Sequence, residues 1–341
     1  MKEKLFNLSF MRVTACIAVI ILHITASESV LYQDVLNRDQ QFAMSLIYNL
    51  MMWAVPCFVM VSGALLLDPA KQYGLRKAVS LIRRPLLAIL VFSILFCMFD
   101  TFMDGGTVGL GSVLMGLQNA YTGNGWSHMW YLYLLIGIYL ILPAMRLVTA
   151  HGDDKTLIYL VVVNILFLSV MPLTKLAGIS GGFYLHLSTV YPMYFLLGHL
   201  IKERIVRIPS VLSVLMVVVS IAGITVATAK GLDGSLPSPT LLTGYSSIFV
   251  IMLSAGIFSL VQHISGGDSA AGRMILQIDQ CSFGIYLIQM VFIRLLLRYQ
   301  GINLYDYPIA LSLSVVTLLV LALSFFTTYI FRKLKKLTGL A

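Results

Sequence analysis

Two side chains in the first apolar stretch, Arg12 and His23, are the residues of this chain best placed to do chemistry. They stand in FMRVTACIAVIILHITA, Phe10 to Ala26, where the other residues are apolar or carry small hydroxyl and thiol groups. Eleven helical steps turn about 1100°, three turns plus about 20°, and climb about 16.5 Å. One helix therefore carries both groups on one face, the guanidinium near its start and the imidazole towards its far end. A charge in a spanning segment costs on the order of 2.5–3.5 kcal/mol, and such residues usually face a protein interior or a wet cavity. The pair reads as one wall of a polar path through a bilayer. Each residue also has a plainer reading: Arg12 can reach the inner headgroups along its stem, and His23 can be a hydrogen-bonded core histidine.

Further candidates lie along the chain. Arg83 and Arg84 follow Arg76 and Lys77 at the inner mouth of the third expected span. Such a cluster sets topology and attracts anionic lipid, or, because arginine forks suit phosphate oxygens, it recognises a phosphorylated ligand. His128 opens SHMWYLYLLIGIYLILP among Trp126, Trp130, Tyr131 and Tyr133. These aromatics form either an interfacial belt or a stacking surface for sugar rings. Gln289 ends CSFGIYLIQ as a buried amide, whereas His186 and His199 have no patterned partners and read as structural. Pro56 is expected to bend the second span, and Gly63 to let a neighbouring helix approach. No metal spacing, phosphate loop, nucleophile elbow or dinucleotide fingerprint is visible.

The elements that must position these residues are membrane helices. The 341 residues are 59% hydrophobic and only 11% charged. Ten spans are expected, near 8–27, 42–67, 82–103, 128–148, 156–173, 183–201, 210–229, 240–263, 281–299 and 308–331, each close to the length a bilayer requires. The fold class is thus an all-α integral membrane protein, a single transmembrane domain over 1–341 with no separate soluble domain. Of the 23 Lys and Arg residues, 18 fall at the termini or in even-numbered loops and 5 on the opposite side. This places both termini in the cytoplasm. The net charge of +9 sits at helix ends rather than on one soluble face, which argues against nucleic acid. Cys16, Cys57, Cys97 and Cys281 lie within or beside apolar runs without a CxxC pair, so no disulfide is expected. Lys2 and Lys4 could open a signal peptide, but Arg12 and His23 interrupt the apolar run and no small-x-small cleavage site follows. Glu28, Asp34 and Asp39 read as an acidic outer loop, either solvated or shaping an acceptor entrance. Asp104 to Ser127 is glycine-rich and either lies at the interface or folds back into a cavity.

In this order these residues resemble the membrane-bound acyltransferase-3 family over essentially the whole chain. The most specific mark is the arginine, ten residues, then histidine of the first helix, Arg12 and His23. VPCFVMVSG at 55–63, Arg83 and Arg84, HMWYL at 128–132 and SFGIYLIQ at 282–289 support it. The chain looks like the stand-alone form, similar to O-acetyltransferases of the enterobacterial-common-antigen type. Members often end the last motif with histidine where this chain has Gln289, and an amide cannot exchange protons near neutral pH.

The resemblance implies a multi-pass protein of the bacterial inner membrane that carries an acyl group, most simply acetyl, from cytoplasmic acyl-CoA to a surface or lipid-linked saccharide. Acetyl-CoA would be a co-substrate, with Arg12, Arg83 and Arg84 at its phosphates and His23 as general base. His128, Trp130 and Gln289 would contact the acceptor, and membrane lipid is a further partner. A glycan or acyl-group flippase is the alternative, and a binding protein without turnover a third reading.

Overall fold

The computed structural model of the chain describes residues 6–71, 73–179 and 189–337. All regular secondary structure among them is helical. By packing, the chain divides into two compact units, Met1–Leu65 with Asp154–Ala341, and Leu66–Asp153. Among the described residues nine helical stretches are long and apolar enough to cross a membrane, which makes this an all-α integral membrane protein. Helices predominate because a bilayer offers no partner for backbone N–H and C=O groups, so each segment must bond within itself.

The larger unit holds α1 (Phe6–Leu31), α2 (Arg38–Leu50), α3 (Ala54–Leu66, up to Leu65), α7 (Asp154–Ile165) and α8 (Val190–Lys202). It continues through α9 (Ser210–Leu232), α10 (Thr240–Thr243), α11 (Ile248–Val261), α12 (Ala270–Arg294) and α13 (Ile309–Leu337). The second expected span is two helices, because the chain breaks at Met51–Trp53. Pro56 then falls in the first turn of α3, where its missing N–H costs nothing. The expected bend thus precedes the proline rather than centring on it. The approach foreseen at Gly63 is real: a Cβ there would lie 1.7 Å from the Phe195 carbonyl oxygen of α8. Gly198 answers from α8, where a Cβ would lie 2.1 Å from the Met60 carbonyl oxygen. Small residues set the separation of these two helices, as in membrane bundles generally. The sixth expected span is represented by α8, 13 residues buried along most of its length; 183–188, with His186, lies outside the described residues.

The smaller unit holds α4 (Leu75–Met103), α5 (Leu110–Thr122) and α6 (Trp130–His151). The glycine-rich segment is not a loop throughout. Gly109 and Gly123 bracket α5, whose Gly116 sits against the backbone of Ile94 on α4. Gly123 has φ +74°, a left-handed stop that favours glycine. Arg146 clamps the start of this unit by donating to the carbonyls of Leu66, Asp68 and Lys71. All four cysteines are free, as expected.

Candidate active site along the first helix

On α1, Arg12 and His23 share one face by helical geometry, and Ser9, Cys16 and Ser27 fall within about 60° of Arg12. This polar stripe runs along most of a largely apolar helix. α12 lies beside it. Arg12 Nη2 donates to Asp279 Oδ2 at 2.7 Å, with Ser9 beside the carboxylate. The Asp279 side chain is 8% exposed and that of Arg12 33% exposed. The pair therefore stands at the edge of the packed interior, its anion sunk and its cation reaching outward. Arg12 Nε is buried without a hydrogen-bond partner, whereas the side chain as a whole is one-third exposed, so the outer end of the fork can still meet an anion.

Three contacts fix the register of α1 against α12. Arg12 meets Asp279 in the first half of both, while Tyr32 Oη, just past α1, donates to the carbonyl of Leu297, just past α12, at 3.3 Å. Just beyond, Glu28 Oε1 accepts from Leu304 N at 2.6 Å. The two helices thus run parallel. At 1.5 Å per residue His23 stands about 16.5 Å above Arg12, and Gln289 about 15 Å above Asp279. His23 and Gln289 consequently lie at one depth of the seam. His23 is half-buried, whereas Gln289 is wholly buried and neither of its amide atoms has a hydrogen-bond partner.

Glu28 departs from expectation. It is a fully buried residue of α1 rather than part of a solvated loop, whereas Asp34 and Asp39 are exposed. The reason is local. α1 continues to Leu31, four residues past the expected boundary at 27, which turns Glu28 inward onto the Leu304 amide.

The remaining candidates belong to the smaller unit. Arg83 and Arg84 are exposed on the third turn of α4, following Arg76 and Lys77. His128 sits in a short turn ahead of α6, 1% exposed, its ring 5.5 Å from Phe96 and 6.1 Å from Trp126. Phe96 and Trp126 are stacked at 4.0 Å, and the indole Nε1 donates to Asp100 at 2.7 Å. Trp130 is 37% exposed and edge-on to Tyr131. His199 is buried in α8, consistent with a structural residue.

Asp279 is the residue that sequence reasoning missed. Starting the ninth span at Cys281 left this carboxylate outside, whereas α12 begins at Ala270. The available signal was an acid just ahead of an apolar run in a chain with an intramembrane arginine, since such charges pair. Among the described residues no group of His, Cys, Asp and Glu could hold a metal ion.

A family model described as "Acyltransferase domain" matches residues 5–332. No curated protein and no solved structure matches the chain.

Proposed function

We propose that this chain, which belongs to the acyltransferase-3 family, moves an acyl group from cytoplasmic acyl-CoA to a saccharide hydroxyl on the outer side. It is a multi-pass membrane acyltransferase. Donor, acceptor and the roles below are our reading, and one observation carries it. Arg12 is anchored by Asp279 with part of its fork unspent, on the face that bears His23 about 16.5 Å further along.

In this reading the guanidinium holds a donor phosphate and the thioester threads along the α1 stripe towards His23. Arg83 and Arg84 supply further cationic contacts to the nucleotide. Neutral His23 takes the proton of the acceptor hydroxyl as its oxygen attacks the thioester carbonyl. The tetrahedral intermediate collapses with loss of the CoA thiolate, and the imidazolium returns the proton to sulfur. Gln289, at the depth of His23, offers an N–H to the developing oxyanion or a carbonyl to the acceptor. Such preorganised donors count most where water is excluded. Trp130 and the aromatic group around His128 serve the saccharide. Acetyl is the simplest acyl group, and the bacterial inner membrane the setting that presents acyl-CoA on one side and envelope saccharide on the other.

The test uses purified protein with acetyl-CoA and envelope saccharide. His23→Ala should lower acceptor-dependent release of CoA by about 10²–10⁴ while membrane insertion and unfolding temperature stay at wild-type values. Undiminished transfer by this variant removes His23 as the base. Passage of saccharide without release of CoA would instead show a transporter.

A further inference from the structure

A polar cavity opens in the larger unit at the foot of α1. Its volume is about 950 Å³, and Lys202, Arg204, Arg207, His263, Asn7 and Gln262 are among the residues that line it. Asn7 lies about 140° round α1 from Arg12 and about 7.5 Å below it. The Asn7 amide donates to Gln262 Oε1 at 2.9 Å, which ties the foot of α1 to the end of α11 and closes that wall. The lining sits on the side that the Lys and Arg distribution assigns to the cytoplasm.

The charges are unbalanced. Glu203, the one carboxylate of the lining, is taken by Lys202 at 2.9 Å. Neither Arg204 nor Arg207 forms an ion pair among the described residues. Arg207 Nε donates to the Arg204 carbonyl at 3.2 Å, which leaves its two amino groups for another partner. The backbone adds an independent observation. α8 ends in a left-handed residue, with Arg204 N donating to the Ile201 carbonyl and Val206 N to the Leu200 carbonyl. That residue is Arg204, φ +61°, among described residues the one non-glycine at positive φ. Glycine fits such a position without strain. Topology alone asks for positive charge near the membrane; it does not ask for a cavity, or for arginine where glycine sits more easily.

We propose that this cavity binds a phosphate group, with the guanidinium groups of Arg204 and Arg207 as its principal contacts and Lys202 and His263 around it. Guanidinium forks match phosphate oxygens in both charge and geometry. Two sources offer that chemistry at the inner face of a membrane: the headgroup of an anionic lipid, and a soluble phosphate.

The experiment follows the unfolding temperature of the purified full chain. One arm titrates phosphatidylglycerol into phosphatidylcholine-containing mixed micelles, the other inorganic phosphate into the same micelles. A ligand that binds only the folded protein raises the unfolding temperature. Arg204→Gly is the informative variant, because it relaxes the backbone while deleting the side chain. Without anion it should be at least as stable as wild type; with anion the rise should shrink, as expected for binding weakened about tenfold or more. Arg207→Ala should lose the same response without the backbone gain. Lys155→Ala with Arg273→Ala removes two cations elsewhere and should keep it. Loss confined to the phosphatidylglycerol arm identifies a lipid headgroup, and loss in the phosphate arm a soluble ligand. A response that Arg204→Gly and Arg207→Ala leave intact, or no response of the wild type to either anion, overturns the proposal.

Discussion

Asp279→Asn separates an arginine that is positioned from one that is merely present. The 2.7 Å contact joins an anion 8% exposed to a cation 33% exposed, so the two halves of the pair should not cost the same. With Asp279 neutral, the guanidinium can swing along its stem towards water, and the loss should be about 1.5 kcal/mol, the lower end for a hydrogen bond to a charged group. Arg12→Met instead strands a sunken carboxylate, and the loss should be about 3 kcal/mol, the lower end for breaking a buried pair. Arg12→Met combined with Asp279→Asn removes both charges and should cost less than the sum of the single changes by at least about 1 kcal/mol. Reversible unfolding in mixed micelles measures these values. In acyl transfer, a fork released from its anchor should raise the donor KM, and a displacement of about 1 Å can cost about 10²-fold in kcat/KM. Strictly additive stabilities, or a donor KM unmoved by Asp279→Asn, would refute the reasoning.

Four further outcomes are expected. Gly63→Ala places a Cβ 1.7 Å from a backbone oxygen that cannot turn aside and should cost about 3 kcal/mol or more. Gly137→Ala, with nothing within 4 Å, should be neutral or stabilising in the same unfolding assay. Trp126→Phe keeps an aromatic ring on Phe96 but deletes the N–H that Asp100 accepts, so unfolding should show a loss of about 2 kcal/mol. Tyr32, just past α1, has its phenol raised above the usual tyrosine range by burial first and then by the Glu28 carboxylate. Because the folded protein holds this proton more tightly, the stability it contributes is complete below the ordinary tyrosine range. It is lost as pH rises through the raised value. Tyr32→Phe should reduce the late-ionising tyrosinate absorbance by the amount of one group.

Much of this architecture was legible in the sequence because a bilayer restricts the choices so severely. Long apolar runs had to be helices, and the eleven-residue spacing of Arg12 and His23 had to put both on one face. The Gly63 approach was likewise readable, since a glycine in an apolar helix has few other uses. What escaped were features set by where helices start and stop. A first span ending at 27 leaves Glu28 in a loop, and a ninth span starting at Cys281 leaves Asp279 outside; polar residues at span boundaries are compatible with either side of the line. The partnership of Arg12 with Asp279 spans 267 positions and leaves no periodic trace. Gln289 was singled out by its neighbours in the motif, but its shared depth with His23 follows only from the register of two helices distant in sequence.

The seam between α1 and α12 is fastened at both extremities, by Arg12 with Asp279 at one end and by Tyr32 and Glu28 with Leu297 and Leu304 at the other. A rocking carrier must part its halves first on one side and then on the other, and along this line each parting would break a rivet. The wall that bears His23 is therefore built as a fixed rail. On the proposed function, travel across the membrane then falls to the slender arm of the donor.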